Sequence, residues 1–402
     1  MGIKGIKGIK HLVVVAAISL LAVACGSSPA ANDAGGSATG EGDGHGHGAA
    51  PPPPAPLRNG ERFQEIGLER PYQPTPPQGG TDEYRCFLID PKLTEATYLT
   101  GTQFLPQNAE IVHHAILYRV APAQVVRAKN LDARTEGDGW QCFGGPGISD
   151  GAGRGDGGGD SWIGAWAPGN NETLIGELAG YPVEPGTHIV LQVHYNLLAT
   201  DGKPGPTDQS TVRLRMISGT ADVTPLHTML ATAPIELPCT PAESGPLCDR
   251  TAAIEDLVKR TGVQARQTVQ ALDAWCNKGK DPVPGPTQHC DLPIQKPALL
   301  YAVAPHLHLL GRSISVELNP GTPGARKLLD QPVYNFDDQS SQPLPQPVTL
   351  NPGDTIRITC THDAALRSQL PQLKILKPRY VVWGDGTSDE MCLAMLIATN
   401  KV

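Results

Sequence analysis

The sequence has no excess of positive charge, which argues against nucleic acid as a partner. It contains 32 lysines and arginines against 40 aspartates and glutamates, a formal net charge of −8 at pH 7. Without the first 24 residues, which include three lysines, the charge becomes −11. Nucleic-acid-binding domains present a basic patch to the phosphates. We therefore predict no nucleic-acid partner.

Long apolar runs are also missing, apart from a short one near the N-terminus. Three lysines precede an apolar run from Leu12 to Ala24, which is too short for a membrane span. A basic head, a short apolar core and small residues after it predict a secretory signal peptide over residues 1–24. Residues 21–25 resemble the lipobox of bacterial lipoproteins. We expect Cys25 to carry a lipid that anchors an exported protein in the bacterial cell envelope, and an incidental cysteine after an ordinary signal peptide is the alternative.

Residues 25–78 have almost no apolar pattern and are rich in alanine, glycine, serine and proline. Such a composition predicts a disordered or semi-extended tether. Weak binding of copper or zinc by His45 and His47 is one interpretation of this segment, and a solvated polar linker is the preferred one.

Free thiols are lacking as well. Apart from Cys25 the cysteines form an even set of eight, which in an exported chain predicts four disulfides in an oxidising compartment. No cysteine then remains as a nucleophile or a thiolate ligand. The eight are Cys86, Cys142, Cys239, Cys248, Cys276, Cys290, Cys360 and Cys392.

Helical periodicity is rare in the rest of the chain. Short alternating or apolar runs, as at 111–120, 188–197 and 355–360, are separated by glycine, proline, asparagine and aspartate. This spacing predicts an all-β protein of two consecutive antiparallel β-sandwich or jelly-roll domains, over residues 79–222 and 223–402. The glycine-rich stretch 144–164 predicts a surface loop without an assigned role.

Residues 239–290 are the exception, because Val269, Leu272 and Trp275 follow one another at helix spacing. A capping box is predicted at residues 261–264. Four cysteines lie in this stretch, so we predict a small disulfide-stapled helical insertion in the second domain. Their pairing has three possibilities, which the sequence leaves open.

His306 and His308 follow an apolar run at residues 298–303. On an extended strand, side chains two residues apart point the same way and lie about 7 Å apart, which suits chelation of one metal ion. Such a pair is a weak signal by itself, because histidines on half-buried strands are often only packed and hydrogen-bonded.

Three other segments complete a pattern with residues 305–313. They are residues 112–118 with two adjacent histidines, 190–196 with the sequence Gln-Val-His-Tyr, and 384–392 with Asp-Glu-Met-Cys at its end. In this order the four segments resemble the copper type II, ascorbate-dependent monooxygenases, the family of dopamine β-monooxygenase and peptidylglycine α-hydroxylating monooxygenase. The resemblance runs from about Glu83 to Leu396 outside the insertion.

The resemblance implies two copper ions, each in its own β-sandwich and facing a solvent-filled cleft. Ascorbate or a similar reductant would reduce both, and O₂ would bind at the methionine-bearing copper, where a substrate C–H bond is hydroxylated. A soft thioether ligand favours Cu(I), which agrees with that role. The implied ligands are His113, His114 and His194 for the electron-transfer copper, and His306, His308 and Met391 for the oxygen-binding copper.

The resemblance also implies supporting residues. Tyr84 and Gln192 match positions that line or buttress the cleft. The implied disulfides are Cys86 with Cys142 and Cys360 with Cys392.

One feature of the first ligand set conflicts with regular β structure. His113 and His114 are adjacent, and on a regular strand their side chains would point to opposite faces. The pattern therefore predicts an irregular strand at this point or coordination through different ring nitrogens.

The substrate contacts of the peptidylglycine enzyme are absent. Ala304 stands where that enzyme has an arginine, and Leu393, Ala394 and Met395 replace its polar residues after the Met-Cys pair. We therefore expect a small, neutral or apolar substrate. The competing interpretation is a surface copper-binding or redox lipoprotein without hydroxylase activity. A blue-copper carrier would need a cysteine ligand, and a zinc hydrolase would need a His-Glu-x-x-His helix, which the sequence lacks.

Overall fold

The structure of the protein is a computed structural model, and it describes most of the chain after residue 52. The described residues belong to one compact unit. The predicted signal peptide, Cys25, both tether histidines and most of the glycine-rich stretch lie outside them. The described ranges are 53–76, 81–142, 145–148, 162–167, 170–174, 178–197, 205–336, 339–384, 386 and 388–400.

The fold is mostly β, with 43% of the described residues in strands and 15% in helices. The helices are α1 Val125–Asp132, α2 Arg250–Thr261, α3 Val263–Cys276, α4 Leu366–Gln369 and α5 Pro371–Lys374. The strands are β1 Arg62–Gly67, β2 Asp82–Ile89, β3 Thr97–Leu105, β4 Val112–Val120, β5 Trp140–Gln141, β6 Trp162–Trp166, β7 Thr173–Leu174, β8 Ala179–Val183, β9 His188–Asn196, β10 Thr211–Ser218, β11 Thr224–Pro225, β12 His227–Thr232, β13 Glu236–Leu237, β14 Thr287–Pro293, β15 Ala298–His306, β16 Gly311–Leu318, β17 Arg326–Gln331, β18 Gln342–Leu350, β19 Thr355–His362, β20 Val381–Val382 and β21 Leu393–Thr399.

The N-terminal half contains two sheets. Sheet A has the order β1-β10-β3-β8-β11, with β7 also paired to β3, and sheet B has the order β5-β2-β9-β4-β6. Leu99 and Leu214 of sheet A share one apolar core with Leu117 and Leu191 of sheet B. The two sheets therefore bury their apolar faces against a common core.

Strand β9 shows how the sequence directs side chains to the two faces of sheet B. Its residues alternate faces, as on any strand. Leu191 and Val193 lie in the core that sheet B shares with sheet A. Val190, on the other face, belongs to the core of the C-terminal half. Gln192 and His194 follow Val190 at spacing two and therefore face the C-terminal half.

The C-terminal half is built from two four-stranded sheets and one small one. Sheet C has the order β12-β21-β15-β18, sheet D the order β14-β19-β16-β17, and sheet E pairs β13 with β20. Leu300 and Leu396 of sheet C lie in one core with Val316 and Ile358 of sheet D. That core also includes Trp162 of sheet B, so apolar packing continues from one half of the molecule to the other.

The helical insertion is present, but its helices begin at other residues than predicted. Thr261 ends α2, and its hydroxyl donates to the carbonyl of Leu257, while Gly262 precedes α3 without a side-chain cap. The predicted capping box is therefore wrong. Asp249 caps α2 instead, because its carboxylate accepts a hydrogen bond from the backbone N–H of Ala252.

The four predicted disulfides are formed. Cys239 bonds with Cys248 and Cys276 with Cys290, which settles the pairing that the sequence left open. The other two join Cys86 with Cys142 and Cys360 with Cys392, as the resemblance implied.

The predicted tether extends less far than residue 78. Residues 62–67 form β1 at the edge of sheet A, paired with β10. The buried guanidinium of Arg215 holds the chain before it, donating to the carbonyls of Ala55 and Pro56. The sequence does not indicate this strand, because Phe63 and Ile66 are its only large apolar residues and they stand at no regular spacing among proline-rich surroundings.

The all-β prediction is confirmed in a coarser form, since the fold is mostly β, and the sandwich and jelly-roll topology stays a prediction. Among the described helices, none is long and apolar enough to span a membrane.

Candidate metal centre

Three predicted ligands of the N-terminal half meet on the face of sheet B that is turned toward the C-terminal half. The pairing of β4 with β9 shifts register between Val112 and His114, so the strand is irregular at His113. This bulge lets two adjacent histidines reach the same point, because the extra residue interrupts the alternation of faces. His194 lies directly opposite His114 on β9. We call His113, His114 and His194 the three-histidine site.

The three rings direct the same kind of atom toward one point. The Nδ1 atoms of His113 and His114 are 3.3 Å apart, those of His113 and His194 are 3.1 Å apart, and those of His194 and His114 are 3.3 Å apart. The centre of such a triangle is about 1.9 Å from each corner, close to the ~2.0–2.1 Å of metal–imidazole bonds. The three-histidine site therefore fits a metal ion that prefers imidazole ligands.

His194 has a partner on its other ring nitrogen. Its Nε2 lies 2.8 Å from Oδ1 of Asp82, which also accepts a hydrogen bond from Nδ2 of Asn196 at 2.9 Å. The ring of Tyr84 stacks on the His194 ring, with 4.1 Å between centroids and 14° between planes. These contacts fix the orientation of His194 and leave its Nδ1 for the metal.

The site favours neutral imidazoles. Burial lowers the pKa of His113 and His114 well below the usual value, and the neighbouring histidines lower them further. Burial also lowers the pKa of His194, although Asp82 acts in the opposite direction. Neutral rings offer the lone pairs that a metal ion needs.

The second group of predicted ligands lies where β15 ends. The rings of His306 and His308 are 5.3 Å apart between centroids. Nδ1 of His306 donates to Oε1 of Gln339 at 2.6 Å, and Nδ1 of His308 donates to the backbone carbonyl of Asp389 at 3.1 Å. Both rings are thereby fixed in the tautomer whose Nε2 carries a lone pair.

The Nε2 atom of His308 shows most clearly that this group of residues fits a metal ion. The side chain of His308 is buried, and this nitrogen has no hydrogen-bond partner. A buried polar atom without a partner costs about 1–3 kcal/mol unless something binds it. A metal ion bound to Nε2 would remove that cost, so the residues present fit a metal here as well. We call His306, His308 and Met391 the His/Met site.

Met391 follows two acidic residues that organise this loop. The buried carboxylate of Glu390 accepts the backbone N–H groups of His308 at 2.9 Å and Leu310 at 2.6 Å. Burial acts to raise the pKa of Glu390, but the charge and hydrogen bond of His362 and the contact with His308 outweigh it and lower the pKa. Since Glu390 is bonded to the backbone of His308, its neighbour Met391 lies at the same turn. The Cys360–Cys392 disulfide holds the residue after Met391.

The helical insertion supports the same turn. Arg260 of α2 donates through Nη2 to Oδ1 of Asp389 at 2.7 Å and through Nη1 to Oδ2 at 3.1 Å. The backbone carbonyl of Asp389 in turn accepts the ring proton of His308. Arg260 therefore helps to orient a predicted ligand without contacting it.

The two sites touch each other. The rings of His114 and His306 meet edge to face, 5.7 Å apart between centroids, and Phe336 packs on His113 at 5.1 Å. The solvent-filled cleft implied by the resemblance is therefore not present between these rings. It is closed because the apolar core continues across both halves and Phe336 covers the three-histidine site.

A cavity of about 60 Å³ is lined in part by Gln339, the hydrogen-bond partner of His306. Ala304 and Met395, paired in register on β15 and β21, contribute to its wall together with Gln339. Trp162 and Tyr181 contribute from the N-terminal half. None of the described residues that line it is charged. Leu393 and Ala394, the other replaced positions, are buried and do not line it.

The remaining predicted site residues have structural contacts. Nε2 of Gln192 donates to the carbonyl of Cys142 at 2.7 Å, which ties β9 to the Cys86–Cys142 disulfide. His362, which the sequence left without a role, is buried, and its Nε2 lies 3.2 Å from the carbonyl oxygen of Met391.

Sequence reasoning missed Asp82, Gln339 and Phe336. Asp82 precedes Tyr84 by two residues and is the first residue of β2, where an acidic residue is ordinary. Gln339 and Phe336 lie in an irregular segment between β17 and β18, where no periodicity indicates a contact.

The comparison with protein families bears on the C-terminal half. Residues 265–399 match the family model described as copper type II ascorbate-dependent monooxygenase, C-terminal domain. The match covers less than half of the chain, and it supports a similarity to this family over residues 265–399. It includes His306, His308 and Met391, the three residues of the His/Met site. The resemblance inferred from the sequence is thereby confirmed for this part of the chain.

No curated protein sequence matches the chain. Among solved structures, a Paenibacillus xanthan lyase is 12% identical with a TM-score of 0.16, covering 86% of this chain and 27% of the lyase chain. The coconut allergen cocosin is 9% identical with a TM-score of 0.15, covering 84% of this chain and 85% of that chain. Procruciferin, an 11S globulin from Brassica napus, is 11% identical with a TM-score of 0.15, covering 85% and 77%. These likenesses are too weak to support an argument about residues 265–399.

Proposed function

We propose that the protein is a copper-dependent monooxygenase that hydroxylates a C–H bond of a small neutral molecule. The reaction consumes one O₂, two electrons and two protons for each hydroxyl group formed, and water is the second product. Ascorbate or a similar one-electron reductant supplies the electrons. The observation that carries the proposal is the buried Nε2 of His308, which has no hydrogen-bond partner. The ring of His308 lies next to the ring of His306, which in turn contacts the ring of His114 in the three-histidine site.

Two copper ions per chain fit these donors. His113, His114 and His194 would hold one, and His306, His308 and Met391 the other. Copper would supply the one-electron chemistry that couples the reductant to O₂. Three imidazoles suit an ion that passes between two oxidation states, and the thioether of Met391 favours the reduced state that reacts with O₂.

The residues around the ligands hold them and exclude water. Gln339 and Asp389 fix the ring tautomers at the His/Met site, and Asp82 does so at the three-histidine site. Tyr84 and Phe336 cover two of the three imidazoles. Ligands held in one geometry need little reorganisation when the oxidation state changes.

The cavity supports the choice of a neutral substrate. Ala304 and Met395 give it an apolar wall next to His306, and hydroxyls of Thr228 and Tyr181 provide polar contacts. A charged carboxylate would meet no cation among its described lining residues, and burying it there unpaired would be costly. An uncharged molecule with one or two hydrogen-bonding groups fits this lining.

We further propose that sheets A and B form one β-sandwich domain and that sheets C and D form the other. The shared cores of each pair support this arrangement. We also propose that the protein is exported and anchored through Cys25 in the bacterial cell envelope. The four disulfides support an oxidising compartment.

The test combines metal analysis with turnover. We expect two coppers per purified chain, one after His194→Ala, and O₂ consumption that requires ascorbate and rises with a substrate from a panel of small neutral compounds. Fewer than two coppers in the unaltered chain would contradict the two-site proposal. Full copper loading without substrate-dependent O₂ consumption would instead favour a copper-binding or redox protein.

A further inference from the structure

We propose that Asp82 is a positioning residue that makes the three-histidine site prefer the oxidised copper ion, and so lowers the reduction potential of copper held there. This inference rests on the proposed function. It assigns a role to a residue that contacts a ligand without being one.

The geometry places the Asp82 carboxylate on the far side of a ligand ring. Its Oδ1 is 2.8 Å from Nε2 of His194, and it also accepts a hydrogen bond from Asn196. The side chain of His194 is 0% exposed, whereas that of Asp82 is 22% exposed. Since Nδ1 of His194 points to the centre of the triangle, Nε2 carries the proton and donates it to the carboxylate.

A carboxylate in this position strengthens its imidazole as a ligand. Its negative charge increases the electron density that His194 offers through Nδ1, and such outer partners typically change metal affinity 10- to 100-fold. The effect is larger for a doubly charged ion than for a singly charged one, because the interaction scales with the charge. Asp82 therefore stabilises Cu(II) more than Cu(I).

At the His/Met site, neither imidazole donates a hydrogen bond to a carboxylate of the described residues, although the charge of the buried Glu390 acts on both rings. Nδ1 of His306 donates to the neutral amide of Gln339, and Nδ1 of His308 to a backbone carbonyl. The nearby carboxylates contact other groups: Asp389 pairs with Arg260, and Glu390 lies 3.3 Å from His362 and accepts backbone N–H groups. With a thioether as third ligand, this site favours Cu(I).

Copper held at the three-histidine site would therefore have a lower reduction potential with Asp82 than without it. The proton would stay between Nε2 of His194 and Asp82 in both oxidation states, so the preference would come from the charge of the carboxylate.

The experiment uses the full mature chain with Asp82→Asn, which keeps an oxygen acceptor for His194 but removes the charge. To observe the three-histidine site alone, His308→Ala is present in every sample. Dissociation constants for Cu(II) and Cu(I) are measured by competition with chelators of each ion, together with the reduction potential. We expect Cu(II) affinity to fall about 10- to 100-fold. Cu(I) affinity should fall much less, so the potential should rise by about 59 mV for each tenfold difference.

Two further variants separate this role from a structural one. Asp82→Glu keeps the charge and should return the potential toward its original value. Asp90→Asn makes the same chemical change beside His188, whose Nε2 lies 4.0 Å from the Asp90 carboxylate, and should leave both affinities unchanged. Thermal unfolding of the copper-free variants checks that each is folded.

Equal losses of Cu(I) and Cu(II) affinity with an unchanged potential would show that Asp82 only maintains the fold, and would overturn the inference while leaving the proposed function intact. If the chain with Asp82 in place binds no copper at the three histidines, the proposed function fails together with the inference.

Discussion

The ring of His114 meets the ring of His306 edge to face, with 5.7 Å between their centroids. One residue comes from sheet B and the other from the end of β15 in sheet C. The two predicted copper sites are therefore parts of one buried cluster, and charge placed on either ring acts on the other in surroundings of low dielectric. When a residue of one site is replaced, metal affinity should therefore be measured at both sites.

Replacement of Met391 by leucine should abolish oxygen chemistry without unfolding the protein. Leucine keeps the apolar volume but removes the sulfur ligand, so Cu(I) binding at the His/Met site should weaken at least about tenfold. Ascorbate-dependent O₂ consumption should be lost, and the three-histidine site should keep its copper. Met229→Leu, on β12 outside the cluster, is the matched control. If Met391→Leu consumed O₂ at an unchanged rate, Met391 would not be a ligand.

Replacement of Arg260 by methionine should destabilise the protein and disturb one site only. It leaves the Asp389 carboxylate, whose side chain is 5% exposed, without its cation. Because Arg260 is itself partly exposed, we expect a loss of about 1–3 kcal/mol in the free energy of unfolding. Copper affinity should fall at the His/Met site and not at the three-histidine site.

The control for Arg260 is Arg266→Met in the same insertion. Arg266 pairs with the more exposed Glu255, and removal of this pair should change the free energy of unfolding by less than about 0.5 kcal/mol. Equal effects of the two substitutions, measured by denaturant unfolding, would contradict a specific role for Arg260.

The copper-free protein should lose stability as the pH falls. Burial lowers the pKa of His306 to about 3 and lowers those of the three-histidine site as well, whereas histidines of the unfolded chain titrate near ~6.5. Between these values the unfolded chain binds more protons than the folded one, so stability is complete above ~6.5 and is lost on acidification. Each such histidine contributes about 1.4 kcal/mol per pH unit.

Denaturant unfolding at several pH values between 7 and 4 measures this slope. His306→Gln should reduce the slope of the unfolding free energy against pH by the contribution of one histidine. An unchanged slope in that variant would show that His306 takes up protons as readily in the folded protein as in the unfolded chain.

Replacement of Ala304 by valine should weaken substrate binding and spare the metals. The added methyl groups extend into the cavity wall beside Met395, and valine suits a strand. We expect KM for a neutral substrate to rise about tenfold, which corresponds to roughly 1.4 kcal/mol of binding free energy. Copper content and the unfolding midpoint should stay unchanged. A KM that does not change would place the substrate elsewhere.

The two histidine clusters that the structure brings together could be foreseen from the sequence, because each of their histidines lies within a short segment of recognisable chemistry. The bulge at His113 could be foreseen as well, since two adjacent histidines cannot share a face of a regular strand. The mostly-β class followed from short runs broken by turn residues. The resemblance then related four distant segments that periodicity alone could not bring together.

The contacts that depend on irregular backbone or long-range packing could not be predicted in this way. Gln339 and Phe336 reach the cluster from a segment without periodicity, and the pairing of Arg260 with Asp389 joins residues 129 positions apart. The closure between the two sites was missed for the same reason, because it depends on how the two halves pack. The boundary between α2 and α3 was misplaced because Thr261 closes one helix as readily as it could begin the next.

Because Arg260 must reach Asp389, the number of residues in α2 before Arg260 determines whether these hydrogen bonds can form. Each residue of an α-helix advances by about 1.5 Å and turns by about 100°. One residue inserted between the Asp249 cap and Arg260 would rotate the guanidinium to another side of the helix, away from the turn that orients His308. Natural changes in the length of α2 before Arg260 should therefore add or remove whole helical turns, whereas changes after Arg260 should be tolerated. The direction in which Arg260 points should matter more than the identity of the residues that lead to it.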